Sequence, residues 1–403
     1  MSITIKQMCD KMNDDCRVNF IGRCITLLQA NGIDLSIKQF AAHGIDLEGY
    51  VLLISHPKTG RKVSKESFIN TNSNICTMNY EYETISTFTR IRAMIYALYS
   101  STFNKKKRVI YIVWTNVLYE WLYYLEKYVK DAQVRFVIID DGGGSYTDVF
   151  RDMLNFEVCN HPERSYLKSV VKIWFRSQYF RIFYSNLNRH GRIMDNKLFK
   201  IQVKKGRCFF ERNEEAIRYY LEVLQERVKD VEEDVLDMFS SAIVINTQCY
   251  FENNITDGVV DLEAYGKVIK ELKSITGIRI VLKPHPRELN IEKYQNLNCD
   301  LYRDNRYPQE VIFANVDVSP YCVISIDSST LLNSYGIFSI PSISLAKILL
   351  NDQTLRLNKM FAEELSRFAD RYKEVLLLPE DYTELKEMVA KIIDTRGKIG
   401  VDR

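Results

Sequence analysis

Several things are scarce in this chain of 403 residues, and each scarcity excludes something. Cysteine occurs nine times but never as a CxxC pair. That spacing argues against a disulfide framework or thiolate metal site and for reduced thiols inside apolar segments, as in a cytosolic protein. No apolar run approaches the roughly 18 residues of a spanning helix, and the start, MSITIKQMCDKMNDD, has no signal-peptide core. The expected location is therefore the cytoplasm, free or on a membrane surface. Prolines are few, and neither an internal repeat nor a low-complexity tract is present. A large charge of one sign is missing too. The net charge of +3 is too small to imply nucleic acid, and no motif supports it.

What is present is an ordinary globular composition, 46% hydrophobic and 27% charged, in a chain too long for a single core. Strand-like runs alternate with helical stretches. Val18-Cys24, Tyr50-Ser55, Arg108-Thr115 and Arg135-Ile139 read as strands, with helices around Thr84-Ser100 and Leu118-Lys130. A highly charged helical stretch, Glu211 to Asp237, reads as a solvated connector. The alternation then restarts with strands at Ala242-Asn246, Ile278-Leu282, Val311-Ala314 and Cys322-Ile326, and helices at Leu262-Thr276, Ser328-Tyr335 and Asp381-Asp394. Alternating strands and helices predict α/β units with parallel sheets. The expected division is a first domain over 1–210, a connector over 211–240, a second domain over 241–378, and a helix over 379–403 that packs back. In such folds ligands sit beyond the carboxyl ends of the strands.

Four stretches fall at such ends. In RFVIIDDGGGSY an apolar run stops at Asp140 and Asp141, followed by Gly142, Gly143 and Gly144. A plain turn would explain these residues, since Asp and Gly supply the backbone conformations of a chain reversal. A carboxylate on such a loop can also act as a base. In VLKPHPRE, Lys283, His285 and Arg287 follow a strand, with Pro284 and Pro286 between them. A histidine among cations can hydrogen-bond a phosphate or give it a proton; the alternative is a loop of solvated charges. In VISIDSSTLLNSYG the strand runs through Asp327 into Ser328, Ser329 and a helix. Those hydroxyls serve as helix caps or hold an anion. In RYPQEVIF, Glu310 stands between a proline turn and an apolar run read as a strand. It could accept hydrogen bonds from a ribose diol, but taken alone it reads as solvent-exposed.

In that order, Asp140-Asp141-Gly142, His285-Pro286 and Ser328-Ser329 resemble the motifs of bacterial sialyltransferases, nearest to the lipooligosaccharide and capsule groups that include polysialyltransferases. VINTQCYFEN, with Asn246-Thr247-Gln248, and YPQE are similar to stretches between those motifs. The resemblance follows the whole chain but is specific only at the motifs. It implies a GT-B fold of two facing Rossmann-like domains, acceptor first and donor second. It also implies an inverting transfer from CMP-sialic acid to a hydroxyl of a surface glycan, with no cofactor and no metal. By that resemblance Asp141 is the base, His285 meets the leaving phosphate, Ser328 and Ser329 hold its oxygens, Glu310 holds the ribose and Lys283 adds positive field. Asp140, Gly142 and Pro286 line the same site. The glycine run is longer than the minimal pattern, and Asp327 puts a negative charge beside the phosphate loop.

One segment stands apart. From Arg151 to Arg207 there are thirteen bases against four acids, a net +9 that leaves the remainder of the chain at −6. Within it, residues 164–184 interleave Lys168, Lys172, Arg176 and Arg181 with Trp174, Phe175, Tyr179, Phe180, Phe183 and Tyr184. Three readings are open: a helix on anionic lipid at the inner face of the plasma membrane, a groove for an anionic glycan, or a charged face over an apolar core. Two other functions also compete with the resemblance. One is a different transferase of the same architecture, such as a Kdo transferase or a CDP-polyol phosphotransferase. The other is a non-catalytic nucleotide- or glycan-binding protein.

Overall fold

The computed structural model describes all residues except 1, 56–62, 65–67, 69–73, 81–85, 104–106, 141–153, 155–156, 159–163, 205–206, 228–230, 249–258, 287, 289, 304–306, 353–356, 358 and 400–403. The chain forms two compact units. The first is Met1–Lys197 with Arg218–Val223, the second Leu198–Ile217 with Leu224–Arg403.

In the first unit β1 (Ser2–Ile3), α1 (Ile5–Asp14), β2 (Phe20–Cys24), α2 (Leu27–Ala42), β3 (Gly49–Leu53) and β4 (Ile75–Tyr80) are followed by α3 (Thr87–Phe103) and β5 (Arg108–Trp114). Then come α4 (Tyr119–Tyr128), β6 (Ala132–Ile138), α5 (Tyr166–Arg189) and β7 (Ile193–Asp195). All the pairings are parallel, in the order β1-β4-β3-β2-β5-β6-β7. The central strands are mostly apolar, because both faces are covered along most of their length. On β5, Ile110, Ile112 and Trp114 join one core with Met8, Leu122 and Phe183, while Tyr111 and Val113 join the other with Ile33 and Phe40. β2 and β3 approach so closely that a Cβ on Gly49 would lie 1.9 Å from the Phe20 carbonyl oxygen. Only glycine fits there.

A buried ion pair braces the amino half of β6. Glu126 and Arg192 are both almost without solvent exposure and pair with each other. Glu126 also accepts from the Val134 N–H at 2.8 Å and from the Ser100 hydroxyl. Arg192 donates to the Val134 and Ser100 carbonyls at 2.8 and 2.9 Å.

The second unit opens with the antiparallel hairpin β8 (Phe199–Lys204) and β9 (Arg207–Arg212); α6 (Glu214–Glu226) follows, its Arg218–Val223 grouping with the first unit, and then α7 (Glu233–Phe239). After these come β10 (Ile243–Asn246), α8 (Val259–Lys273), β11 (Ile280–Lys283), β12 (Asp300–Leu301), α9 (Gln309–Phe313) and β13 (Cys322–Ser325). The chain continues with α10 (Ser329–Phe338), β14 (Ser342–Ser344), α11 (Ala346–Asn351), α12 (Lys359–Tyr372) and α13 (Tyr382–Ile399). Its sheet is parallel, ordered β12-β11-β10-β13-β14. Ile243, Ile245, Ile280, Leu282, Cys322 and Ile324 point into one core with α8, α11, α12 and α13. The strands alternate, so Asn246, Lys283 and Ser325, in register across three strands, share the opposite face.

Three expectations change. The charged stretch after Glu211 is not a solvated connector: α6 buries Ala216, Ile217, Tyr220, Val223 and Leu224, a helical stripe that the charge count conceals. The apolar run at Val311 is helix, not strand. Pro308 at the cap and Glu310 in the first turn start α9, and a run this short does not distinguish the two by period. The hairpin 199–212 groups with the second unit, and α13 adds Leu385 and Val389 to that unit's core.

Candidate active site

Each sheet has a point where the strand order reverses across its middle, between β2 and β5 in one and between β10 and β13 in the other. The carboxyl ends at such a reversal leave a crevice that ligands use. In the second unit this crevice is lined by a connected set of polar side chains. Asn246, the last residue of β10, donates from Nδ2 to Thr330 Oγ1 at 3.0 Å. Thr330 Oγ1 donates to Ser328 Oγ at 2.9 Å, and the Thr330 N–H reaches the same oxygen at 3.3 Å. Ser325 holds the Asn246 carbonyl at 2.8 Å from the neighbouring strand.

Ser328 is the N-cap of α10, so the capping role that the sequence allowed is real. It does not exhaust the residue. A hydroxyl has two acceptor sites and one proton. Thr330 fills both acceptor sites, and among the described residues the Ser328 proton has no acceptor. Ser329 follows, half-buried, as the first helical residue.

Glu310 is buried rather than exposed, which corrects the reading of that residue alone. Its Oε1 accepts from Asn333 Nδ2 at 2.6 Å. Beside it, Gln309 Nε2 donates to Ser334 Oγ at 2.9 Å, so α9 is fastened to α10 by two adjacent bonds. Lys283 is not a solvated loop charge either. It is buried at the end of β11, with Nζ 5.3 Å from the centre of the Tyr302 ring. Burial pulls its pKa down to about 8, and the negative charge of Glu310 opposes that shift. His285 is half-buried and Pro286 exposed on the turn that follows; Arg287 lies outside the described residues.

In the first unit Asp140 is buried just past β6, after Ile139, whose N–H donates to the Trp114 carbonyl at 3.0 Å. Asp141 and Gly142 to Gly144 lie outside the described residues. On β2, Arg23 is buried with its guanidinium 4.5 Å from the Trp114 ring and 5.0 Å from that of Trp121. Lys283, Glu310, Ser328 and Ser329 are thus gathered around one end of one sheet, and Asp140 ends a strand of the other.

Sequence reasoning missed Thr330, Asn333, Ser334 and Glu288. For the first three a signal existed. They recur at i, i+3 and i+4 in the otherwise apolar STLLNSYGIF, one polar face on a buried helix.

Residues 24–347 match the family model of alpha-2,8-polysialyltransferases. The chain belongs to that family. It is a sialyltransferase, a glycosyltransferase that takes a nucleotide-sugar donor and a glycan acceptor. The matched span includes every motif described above, from Asp140 to Ser329. No curated protein sequence matches it. Among solved structures, the UDP-GlcNAc 2-epimerase of Neisseria meningitidis is similar at 13% identity and a TM-score of 0.44, over 94% of this chain and 92% of that one. The alpha/beta-galactoside alpha-2,3-sialyltransferase of Photobacterium phosphoreum aligns at 13% identity and 0.39, over 89% and 97%. A sialyltransferase of Photobacterium damsela aligns at 13% and 0.40, over 90% and 81%.

Proposed function

We propose that this sialyltransferase takes sialic acid from CMP-sialic acid, inverts the anomeric carbon, needs neither metal nor cofactor, and extends an α2,8-linked surface glycan. The acceptor hydroxyl attacks the anomeric carbon while Asp141 takes its proton. The bond from that carbon to the phosphate oxygen breaks, and its electron pair leaves on CMP. His285, Ser328 and Ser329 donate hydrogen bonds to the departing phosphate, Lys283 supplies positive field, and Glu310 binds the ribose hydroxyls. Asp140 and Gly142 shape the acceptor loop, and Pro286 stiffens the turn that carries His285. The transition state is oxocarbenium-like, so holding the leaving charge with fixed donors is the largest contribution expected of the site. The observation that supports this most is the wiring of Ser328, which among the described residues accepts from Thr330 and keeps its own proton to donate, at the same end of the sheet as the buried Lys283.

The alternatives of a Kdo transferase, a CDP-polyol phosphotransferase and a non-catalytic binder fall away with the family. The first test is a thermal-shift panel of CMP, UDP and CDP-glycerol with and without EDTA, followed by CMP-sialic acid plus an oligosialic acid primer. CMP alone should raise the midpoint, since stabilisation follows occupancy of the folded state. The primer should lengthen into a ladder. A midpoint raised only by UDP, or activity abolished by EDTA, would overturn the reading.

We also propose that α5 docks on an anionic membrane surface. Among the described residues no helix is long and apolar enough to cross one. α5 is not simply a charged face over a core: Leu167, Trp174, Phe175 and Ile182 are exposed among its bases. Tyr179 ties it to α3 by a 3.0 Å bond to the Met94 carbonyl, and α3 exposes Phe88, Ile91, Ile95 and Tyr99 at helical spacing. An exposed apolar patch with basic residues suits anionic lipid. Replacing Lys168, Arg176 and Arg181 by Glu should abolish sedimentation with phosphatidylserine or phosphatidylglycerol vesicles and leave turnover on a short soluble acceptor intact. Lys172 is left out because it pairs with Glu157 at 2.7 Å. If the wild type ignores vesicles, the segment serves the acceptor glycan instead.

A further inference from the structure

We infer that Glu288 is a positioning residue of the transfer reaction, the anchor that fixes the His285 turn at the carboxyl end of β11. The inference rests on the donor-site reading of His285. Glu288 is a buried carboxylate whose two oxygens are fully used. Oε1 accepts from the His285 N–H at 2.9 Å and from the Thr247 hydroxyl. Oε2 accepts from the Tyr294 hydroxyl at 2.8 Å and lies 3.0 Å from Lys293 Nζ. A carboxylate offers about four lone-pair sites, and four donors occupy them. Such a group has no capacity left to act as a base. Its negative charge, which would otherwise repel a phosphate nearby, is countered by Lys293.

The turn is closed from both sides. The Glu288 N–H donates back to the His285 carbonyl at 2.9 Å, while the His285 N–H reaches both Glu288 Oε1 and, at 3.0 Å, Thr247 Oγ1. Thr247 is itself fixed to the sheet, because its N–H continues the ladder to the Lys283 carbonyl at 3.1 Å. The backbone of His285 is therefore held by the ends of two adjacent strands through one acid. A site that must meet a leaving phosphate within about 0.5 Å needs such support. Glu288 supplies it from the interior without touching substrate.

The test is a double-mutant cycle on His285 and Glu288, reading kcat, CMP affinity and thermal midpoint. Glu288→Ala should lower kcat and CMP affinity by about tenfold each, with acceptor KM changed by less than about twofold. Glu288→Gln keeps an oxygen for the His285 N–H and should recover most of the loss. In the His285→Ala background, Glu288→Ala should cost CMP affinity nothing further, although the midpoint still falls. An equal penalty in both backgrounds, or a lowered midpoint with normal kcat and affinity, makes Glu288 merely structural and overturns the inference. If Glu288→Ala does not fold, Thr247→Val replaces it in the cycle. It should give a loss of a few fold that disappears without His285. The two readings fail separately. A fully active His285→Ala with unchanged CMP affinity removes the donor-site reading. An impaired His285→Ala whose loss is uncoupled from Glu288 removes only the anchor.

Discussion

The two units share one construction, a parallel sheet whose order reverses near its middle, yet the two polar networks described above lie at opposite ends of the strands. In the first unit Glu126, Arg192 and Ser100 brace the amino half of β6, bonding to one another and to the Val134 backbone. In the second, Asn246, Thr330, Ser328, Glu310 and Asn333 collect at and past the carboxyl ends, and among the described residues the Ser328 proton has no acceptor. A buried network that turns its charges on one another and on the backbone of a strand holds architecture. One that, among the described residues, ends in a donor still to be used, at the sheet end that also carries a buried lysine, is suited to a ligand. Position along the strand and completeness of the hydrogen bonding separate the two, where burial alone would not.

The largest effect that distinguishes them should be on stability. Removing one partner of a buried ion pair leaves the other charge uncompensated, at a cost of about 3–5 kcal/mol. Glu126→Ala should therefore lose about that much in urea unfolding, while CMP affinity of the folded protein stays unchanged. Glu126→Leu with Arg192→Met should recover most of it, because replacing both charges removes their desolvation cost as well. If Glu126→Ala weakens CMP binding as much as it weakens the fold, the two networks are not independent and the comparison fails.

On the catalytic side Asp141→Asn should be the most severe. It keeps size but cannot take the acceptor proton, so turnover should fall on the order of 10²-fold or more, with CMP affinity nearly constant. His285→Ala should differ in kind, reducing CMP affinity about tenfold as well as turnover, since a hydrogen bond to a charged group is lost. Measuring rate and CMP affinity together on both variants separates base from phosphate donor. Near-normal turnover in Asp141→Asn on a good acceptor would return the acidic loop to a simple turn.

Much of this architecture is legible in the order of the amino acids. Strands β5, β10, β11 and β13 and the carboxyl half of β6 announce themselves as apolar runs, because both of their faces are buried there. Each of β6, β11 and β13 ends near polar residues of the candidate site, which is why Asp140, Lys283, His285 and Ser328 stand out. The short edge strands β1, β7, β12 and β14 have two or three residues each and no period to detect. α6 hides its buried stripe under charge. Within the site, residue types are legible but environments are not. Glu310 and Lys283 are ordinary exposed residues by composition, and only α10, bringing Asn333 to one, and Tyr302, lying under the other, make them buried. Glu288 stands in plain view three residues after His285. Its role depends on Thr247, Tyr294 and Lys293, which no local pattern connects to it.

The smallest predicted effect has the clearest signature, because its sign differs between binding and stability. Burial lowers the pKa of Lys283 to about 8 from its ordinary 10.5, with Glu310 opposing the shift. Below that value the site holds a cation; above it the amine is neutral. The phosphate of CMP titrates near about 6 and is constant from pH 7 upward, so any change in affinity there belongs to the protein. CMP affinity should therefore fall, by up to about tenfold, as pH rises through about 8, the loss of one charged contact. Stability should move the other way. Between about 8 and 10.5 the unfolded chain still holds the proton that the folded protein has released. Stability then rises with pH wherever the unfolded state binds more protons. Lys283→Met should flatten both curves, and Glu310→Gln, which removes the opposing negative charge, should shift the binding midpoint below 8. The measurements are CMP titration calorimetry and urea unfolding at half-unit intervals from pH 7 to 10. A wild-type affinity that is flat across that range, or one that falls equally in Lys283→Met, would mean that the buried amine does not meet the donor phosphate.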